Sequence, residues 1–394
     1  MGVRQSQVPM LLALWGSELG STSDSDSPQT PLASGRMILT SCSFRCRLAI
    51  YFSLPLLGIL VSCAHSGRTS KAAPAQRFEM SQPQMGVPFR IVVYATNEQH
   101  ATKAMRAAFS RIEQLNSILS DYDTDSELSR LSRSSGQGMD VPLSRDLWNV
   151  LRQSQQLAKA TDGAFDVTVG PVVNLWRKAR REQSLPRPDL LAKARSRVGW
   201  RKLHLEPLAR AARLDVEEMR LDLGAIAKGY AVDEAMKVLV TNGIRSALVS
   251  GAGDLAVSDP PAGRDAWQIE LSPLDVTNAP PARFVRLRNA ALATSGDLFQ
   301  RVEIGGRRYS HIVDPRTGIG LTDHSLVTVI GPDCTTADSL ATAVSVLGPE
   351  AGVRLLESRK KVAGQIIRAP EGKVEIRTSR GFPNYLGRSD AQDP

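Results

Sequence analysis

The chain has 394 residues, 42% of them hydrophobic, enough for one large or two ordinary domains with a real core. Aromatic residues make up only 5%, which argues against a stacking surface for single-stranded nucleic acid. The net charge of +9 is spread without a dense Lys/Arg block; it suits an anionic ligand or an anionic membrane surface, and no nucleic-acid partner is expected.

The first segment reads as an address. Residues 1–36 are polar and lack periodicity, and Met37 is a candidate start. Arg45 and Arg47 precede Leu48–Val61, an apolar run of fourteen residues, and Ser62-Cys63 follow. A basic end, a short apolar core and small residues at the cut are the layout of a secretory signal. The run is short of the about 20 residues a spanning helix needs. L-V-S-C (Leu60–Cys63) resembles a bacterial lipoprotein box, with Cys63 as the lipidated residue; the plainer readings are an uncleaved anchor or a cryptic apolar strand. Residues 1–63 are thus leader and signal, 64–79 a flexible tether and 80–386 the working domain. Of the four cysteines only Cys334 lies in that domain, so it holds no disulfide framework and no thiolate zinc site.

Within the domain, Val87–Ala95 is β-branched and alternating, the pattern of a strand. Glu98–Leu119 has helical apolar spacing, and S-D-Y-D-T-D-S-E-L-S-R-L makes a polar loop and a short helix. Its three aspartates lack the Gly and terminal Glu of a calcium loop. Leu143–Ala160 is a helix; A-F-D-V-T-V-G-P-V-V-N-L-W reads as a strand and turn, and 177–195 as an exposed excursion. Short strands are expected near Lys202–Leu205, Arg213–Val216 and Met219–Leu223. Gly224–Asn242 is a turn into a helix stopped at Asn242-Gly243. Strands follow at Ser246–Ser250, Trp267–Leu271, Phe284–Leu287, Ala290–Thr294, Tyr309–Val313 and Ser325–Ile330. Helices at Thr336–Leu347 and Pro349–Ser358 and strands near Val362–Ile367 and Val374–Arg377 complete an α+β body with a mixed sheet, in one or two lobes.

Asp338 and Thr342 stand four apart on one helix face, a carboxylate and a hydroxyl side by side, both hard oxygen donors of the kind Mg²⁺ accepts. His311 offers a titratable imidazole beside the Asp314-Pro315 turn. Lys228 at a helix start opposes the dipole unless an anion is held there. Asp222 ends an apolar strand at the sheet edge. Each alone has a plainer reading: a surface polar pair, a structural histidine, a solvated lysine, a helix cap. Together they outline a metal-assisted phosphoryl-transfer site.

Eight segments carry a resemblance: Q-M-G-V-P-F (Gln84–Phe89), S-D-Y-D-T-D-S-E-L-S-R-L, T-D-G-A-F-D-V-T-V-G-P-V-V-N-L-W, L-D-L-G-A-I-A-K-G-Y-A-V-D, G-A-G-D (Gly251–Asp254), A-T-S-G-D (Ala293–Asp297), Y-S-H-I-V-D-P-R-T-G and T-T-A-D-S-L-A-T-A. In this order, over about residues 80–350, they resemble the ApbE family of FAD:protein FMN transferases. The resemblance implies an ApbE-type, T-fold-like α+β body. It implies that Met85, Tyr122, Ala164, Phe165, Asp166, Asp222, Lys228 and Ile312 contact FAD. It further implies that Asp338, Thr342 and the carbonyl of Ala225 hold Mg²⁺, and that His311 handles a proton. The implied reaction moves FMN from FAD onto a Thr or Ser hydroxyl of an acceptor protein and releases AMP. The acceptor would be a membrane-bound redox subunit, and the enzyme a lipid-anchored protein of the bacterial envelope facing the periplasm. Ser250 and Ala252 depart from the family's Asn and paired glycines; Ala252 would either crowd the ligand edge or simply pack. Two other functions share the site: a Mg²⁺-dependent FAD pyrophosphatase, in which water attacks, and a flavin-binding lipoprotein without turnover.

Overall fold

The computed structural model describes residues 74–274, 283–297, 300–369 and 373–387. The signal run, Cys63 and most of the tether lie outside these residues, which belong to one compact unit.

β1 (Gln76–Gln84) and β2 (Val87–Ala95) form a hairpin that turns at Met85-Gly86, both at positive φ. α1 (Glu98–Leu119) follows, N-capped by Asn97, and buries the stripe Ala101, Ala104, Ala108, Ile112, Leu115 and Leu119 that its periodicity predicts. Then come α2 (Glu127–Arg133), β3 (Val141–Pro142), α3 (Arg145–Ala160), α4 (Gly170–Glu182), α5 (Pro188–Arg195), β4 (Leu203–Glu206) and β5 (Ala211–Leu214). α6 (Ala227–Thr241) leads to β6 (Ser246–Gly251) and β7 (Asp254–Val257). β8 (Trp267–Leu271), β9 (Arg283–Leu287), β10 (Ala290–Gly296), β11 (Arg301–Ile304), β12 (Arg307–Ser310), β13 (Val313–Asp314), β14 (Ile319–Gly320) and β15 (Ser325–Gly331) precede α7 (Cys334–Glu357), β16 (Ala363–Arg368) and β17 (Glu375–Thr378).

Eight strands make the main sheet in the order β1-β2-β6-β7-β10-β15-β16-β17. The sheet is antiparallel where a mixed one was expected: every strand pairing among the described residues is antiparallel, and the one parallel contact is the isolated bridge Val169–Arg220. α1, α6 and α7 lie side by side on one face of the sheet. Alternation then sorts the strand residues. Ala256, Ala293 and Val329 face the helices, while Val257, Leu292 and Ile330 enter a smaller core under the β8–β9 hairpin and Phe382.

Three local expectations change. Residues 164–169 are turns rather than a strand, and helix α4 starts at Gly170-Pro171, with proline in its first turn. The β-branched V-T-V run finds no neighbouring strand, and Met219–Leu223 pairs only through the bridge at Arg220. The excursion at 177–195 is the second half of α4 and then α5, packed on the β11–β12 hairpin through Trp176, Ala194, Val302 and Tyr309. Finally, the strand expected over Tyr309–Val313 breaks between β12 and β13. His311 and Ile312 stand at that break, where Ser310 Oγ accepts from the Ile312 N–H at 3.1 Å.

Candidate active site

A cavity of about 810 Å³ opens between the β1–β2 turn, the 164–169 turns, α4, the turn before α6, the β12–β13 break and the first half of α7. That is within the range of pockets that enclose a large ligand. Met85, Tyr122, Ala164, Phe165, Asp166, Asp222, Ala225, Lys228, His311, Ile312 and Thr342 all line it. The chain distance from Met85 to Thr342 is closed by the sheet and its helical layer. Asp338 does not line the cavity; it lies behind Lys228, 3% exposed.

Each wall is held locally. Met85 sits at φ +50° in the hairpin turn. Tyr122 is 75% exposed, and the Arg177 guanidinium lies 4.3 Å from its ring centre, covering one face. Phe165 N–H donates to Thr161 Oγ1 at 3.1 Å. Asp166 Oδ1 accepts from the Thr168 N–H (2.8 Å) and hydroxyl (2.7 Å), so this carboxylate fixes its own turn; burial raises its pKa against those bonds. Asp222 is not at a sheet edge. It lies in the turn before α6, where Oδ1 accepts from Gly224 N–H (2.9 Å) and Oδ2 from Arg177 (2.9 Å). Burial, then repulsion from Asp121, raises its pKa, and Arg177 offsets them.

The floor is a buried charge cluster. Lys228 Nζ lies 2.8 Å from Asp254 and 3.4 Å from Asp338. The anion expected at this helix start is therefore supplied by the protein itself. Burial works against the ammonium, but the two carboxylates outweigh it and hold Lys228 well above its ordinary pKa. Burial, then repulsion from Asp338, pushes Asp254 up to about 7 despite Lys228. Asp338 Oδ2 also accepts from the Gly229 N–H at 3.0 Å. In a regular helix that N–H would go to the carbonyl of Ala225; here Ala227 N–H reaches Leu223 and Tyr230 N–H reaches Ile226, while Gly229 N–H turns to Asp338 and Ala225 stands at the cavity wall. Thr342 Oγ1 lies 3.3 Å from Ser295 Oγ, one turn beyond Asp338. Carboxylate, hydroxyl and carbonyl are hard oxygen donors of the kind Mg²⁺ takes, with Thr342 and Ala225 on the cavity wall and Asp338 behind Lys228. No group of three or more His, Cys, Asp or Glu side chains suited to a metal occurs among the described residues.

His311 stands across the cavity. Its Nδ1 lies 3.0 Å from the Gln300 carbonyl, which can only accept, so the neutral ring carries its proton on Nδ1 and keeps a lone pair on Nε2. The ring is open to the cavity yet flanked by protein on its other sides. Burial, opposed by the Gln300 bond, pushes its pKa down to about 4.

The sequence reading left out Arg177, which bonds Asp121 and Asp222 and covers Tyr122. Helical periodicity continued past Trp176 would have found it: Val173, Arg177 and Arg180 follow at i, i+4 and i+7 and all line the cavity. Asp254 was visible only as the end of a glycine-rich turn.

An α+β fold with such a cavity, lined by hard oxygen donors, cations and an imidazole, has the form expected of a nucleotide-handling enzyme. More closely, the chain belongs to the ApbE family, whose model matches residues 85–366. It is 31% identical to the FAD:protein FMN transferase of Vibrio cholerae serotype O1 over 319 residues, covering 80% of this chain and 94% of that one. It is 33% identical to the FAD:protein FMN transferase of Treponema pallidum over 355 residues, 85% of this chain and 96% of that one. Among solved structures, the flavin transferase ApbE from Vibrio cholerae superimposes with a TM-score of 0.72 at 29% identity, covering 79% of this chain and all of that one. The flavinyl transferase ApbE of Pseudomonas stutzeri gives 0.70 at 28% identity, over 80% of this chain and 98% of that one.

Proposed function

We propose that this chain is an FAD:protein FMN transferase that moves FMN from FAD to a Thr or Ser hydroxyl of an acceptor protein and releases AMP. The observation that carries the reading is the convergence of His311, Lys228, Thr342 and the Ala225 carbonyl on one 810 Å³ cavity, with Asp338 behind it. The acceptor oxygen forms a bond to the FMN phosphorus. The phosphoanhydride bond to the AMP phosphate breaks, and AMP leaves with the electron pair. The hydroxyl proton passes to His311 Nε2, a contribution on the order of 10²–10⁴-fold. Lys228 supplies positive charge where phosphate oxygens gain negative charge. Asp338, Thr342 and the Ala225 carbonyl would hold Mg²⁺, which when bound neutralises the diphosphate. Tyr122, with one face covered by Arg177, offers its other face to a flat ring.

The acceptor is a redox subunit at a membrane, and the enzyme is tethered to the bacterial envelope through Cys63, facing the periplasm. No helix among the described residues is long and apolar enough to cross a membrane, so the tether rests on the leader. The test combines the protein with FAD, Mg²⁺ and a Thr-containing acceptor domain. An FMN-sized mass gain on the acceptor with release of AMP is expected. Free FMN without that gain would make the protein a pyrophosphatase, and tight FAD binding without AMP would make it a carrier.

A further inference from the structure

Four cationic side chains line the cavity, and three have their charge met by protein carboxylates. Lys228 faces Asp254 and Asp338, Arg177 faces Asp121 and Asp222, and Arg301 lies 3.6 Å from Glu303. Arg180 differs. It is half-buried on α4, three residues after Arg177, and among the described residues its guanidinium has neither a hydrogen bond nor an ion pair. The Lys228 and Arg177 clusters each set one cation against two carboxylates. With one carboxylate of each pair ionised the cluster is neutral, and with both it is negative, so neither offers excess positive charge to an entering diphosphate. Arg180 is the wall's unspent positive charge.

We propose that Arg180 is a substrate-binding residue that holds a non-bridging oxygen of the FAD diphosphate from the α4 wall, while Lys228 and Asp338 act from α6 and α7. A guanidinium suits a phosphate because two of its N–H donors match two oxygens in one plane. The charge also reaches the reacting side of the cavity, since Arg180 is the leading cationic neighbour that disfavours protonation of His311. Burial is the main reason the imidazole stays neutral, and Arg180 adds to it from the same wall that would bind the anion. This inference rests on the flavin-dinucleotide reading of the site.

The test measures binding of FAD, riboflavin and inorganic pyrophosphate to the full chain in the presence of Mg²⁺, for the wild type, Arg180→Ala and Arg180→Lys. Because no hydrogen bond or ion pair holds the Arg180 guanidinium among the described residues, both variants should keep the wild-type melting temperature. Losing one charged hydrogen bond should weaken FAD and pyrophosphate binding by about tenfold to hundredfold in Arg180→Ala. Arg180→Lys should recover part of the loss, and riboflavin, which has no phosphate, should bind all three proteins alike. Equal FAD affinity in wild type and Arg180→Ala overturns the inference. If that equality comes with a raised KM for the acceptor domain, the guanidinium instead reads an acidic group on the acceptor. A parallel loss of riboflavin affinity overturns it too, by locating the effect away from the phosphates. A wild type that binds no FAD overturns this inference together with the transferase reading; the other failures leave that reading standing.

Discussion

The N–H of Gly229 donates a 3.0 Å hydrogen bond to Asp338 Oδ2 across the contact between α6 and α7. Glycine is required there, because a Cβ at 229 would lie 2.4 Å from the Cys334 carbonyl oxygen and 2.9 Å from Asp338 Cβ. The same bond pulls Gly229 N–H off the helical ladder and releases the Ala225 carbonyl. Gly229→Ala should therefore cost about 1–3 kcal/mol through overpacking and raise the Mg²⁺ concentration needed for half-maximal transfer. Denaturant unfolding and a Mg²⁺ titration check both. A variant as stable as its parent would show that the two helices separate freely.

Removing Asp338 should be a functional loss with little structural one. Lys228 keeps its closer partner, Asp254, at 2.8 Å, so no buried charge is stranded. Asp338→Ala should lower AMP release by about 10²-fold or more while its circular dichroism stays that of the wild type. Undiminished turnover at any Mg²⁺ level would refute the assignment of Asp338 to the metal.

His311 gives a pH signature. Its pKa is lowered from 6.5 to about 4, so the neutral, proton-accepting ring predominates above about pH 5. The His311-dependent limb of the transfer rate should fall only as pH drops below that, not near 6.5. The stability contribution has the same sign: folding favours the neutral ring, so it is complete above pH 6.5 and is lost as pH falls toward 4. His311→Ala should slow transfer by about 10²–10⁴-fold, remove this acid limb and leave FAD affinity within a few-fold. An unchanged single-turnover rate would remove His311 as the base.

Ala252 holds φ +57° in the turn between β6 and β7, just ahead of Asp254. It does not line the cavity, so the departure from glycine acts on the backbone and not on a ligand edge. A left-handed alanine costs roughly 1–2 kcal/mol, against the greater unfolded-state freedom of glycine. Ala252→Gly should stabilise the protein by about 0.5–1 kcal/mol net, read as a higher denaturant midpoint with transfer kinetics unchanged. A lower midpoint would mean that the alanine methyl packs usefully.

Much of the site was legible because it is made of short local motifs. The helical spacing of Asp338 and Thr342 put both on one face, and the turn signals around Gly224 and Asp314 placed Lys228 and His311 beside loops. Where reading failed, it failed at the third dimension. The V-T-V run looked like a strand, yet it meets only the single bridge from Val169 to Arg220 and no ladder forms. Arg177 looked like one charge among several on an excursion until α4 turned it toward Tyr122 and Asp222.

Periodicity and turn chemistry are written along the chain, and they gave most of the helices and strands and the chemical types in the candidate site. Which charges meet is another matter. Asp254, Asp338 and Lys228 come from three elements, and only the antiparallel order of the sheet, with α6 and α7 side by side upon it, brings them together away from water. Electrostatic partnership depends on distance and desolvation, and neither is a property of neighbouring positions in a sequence.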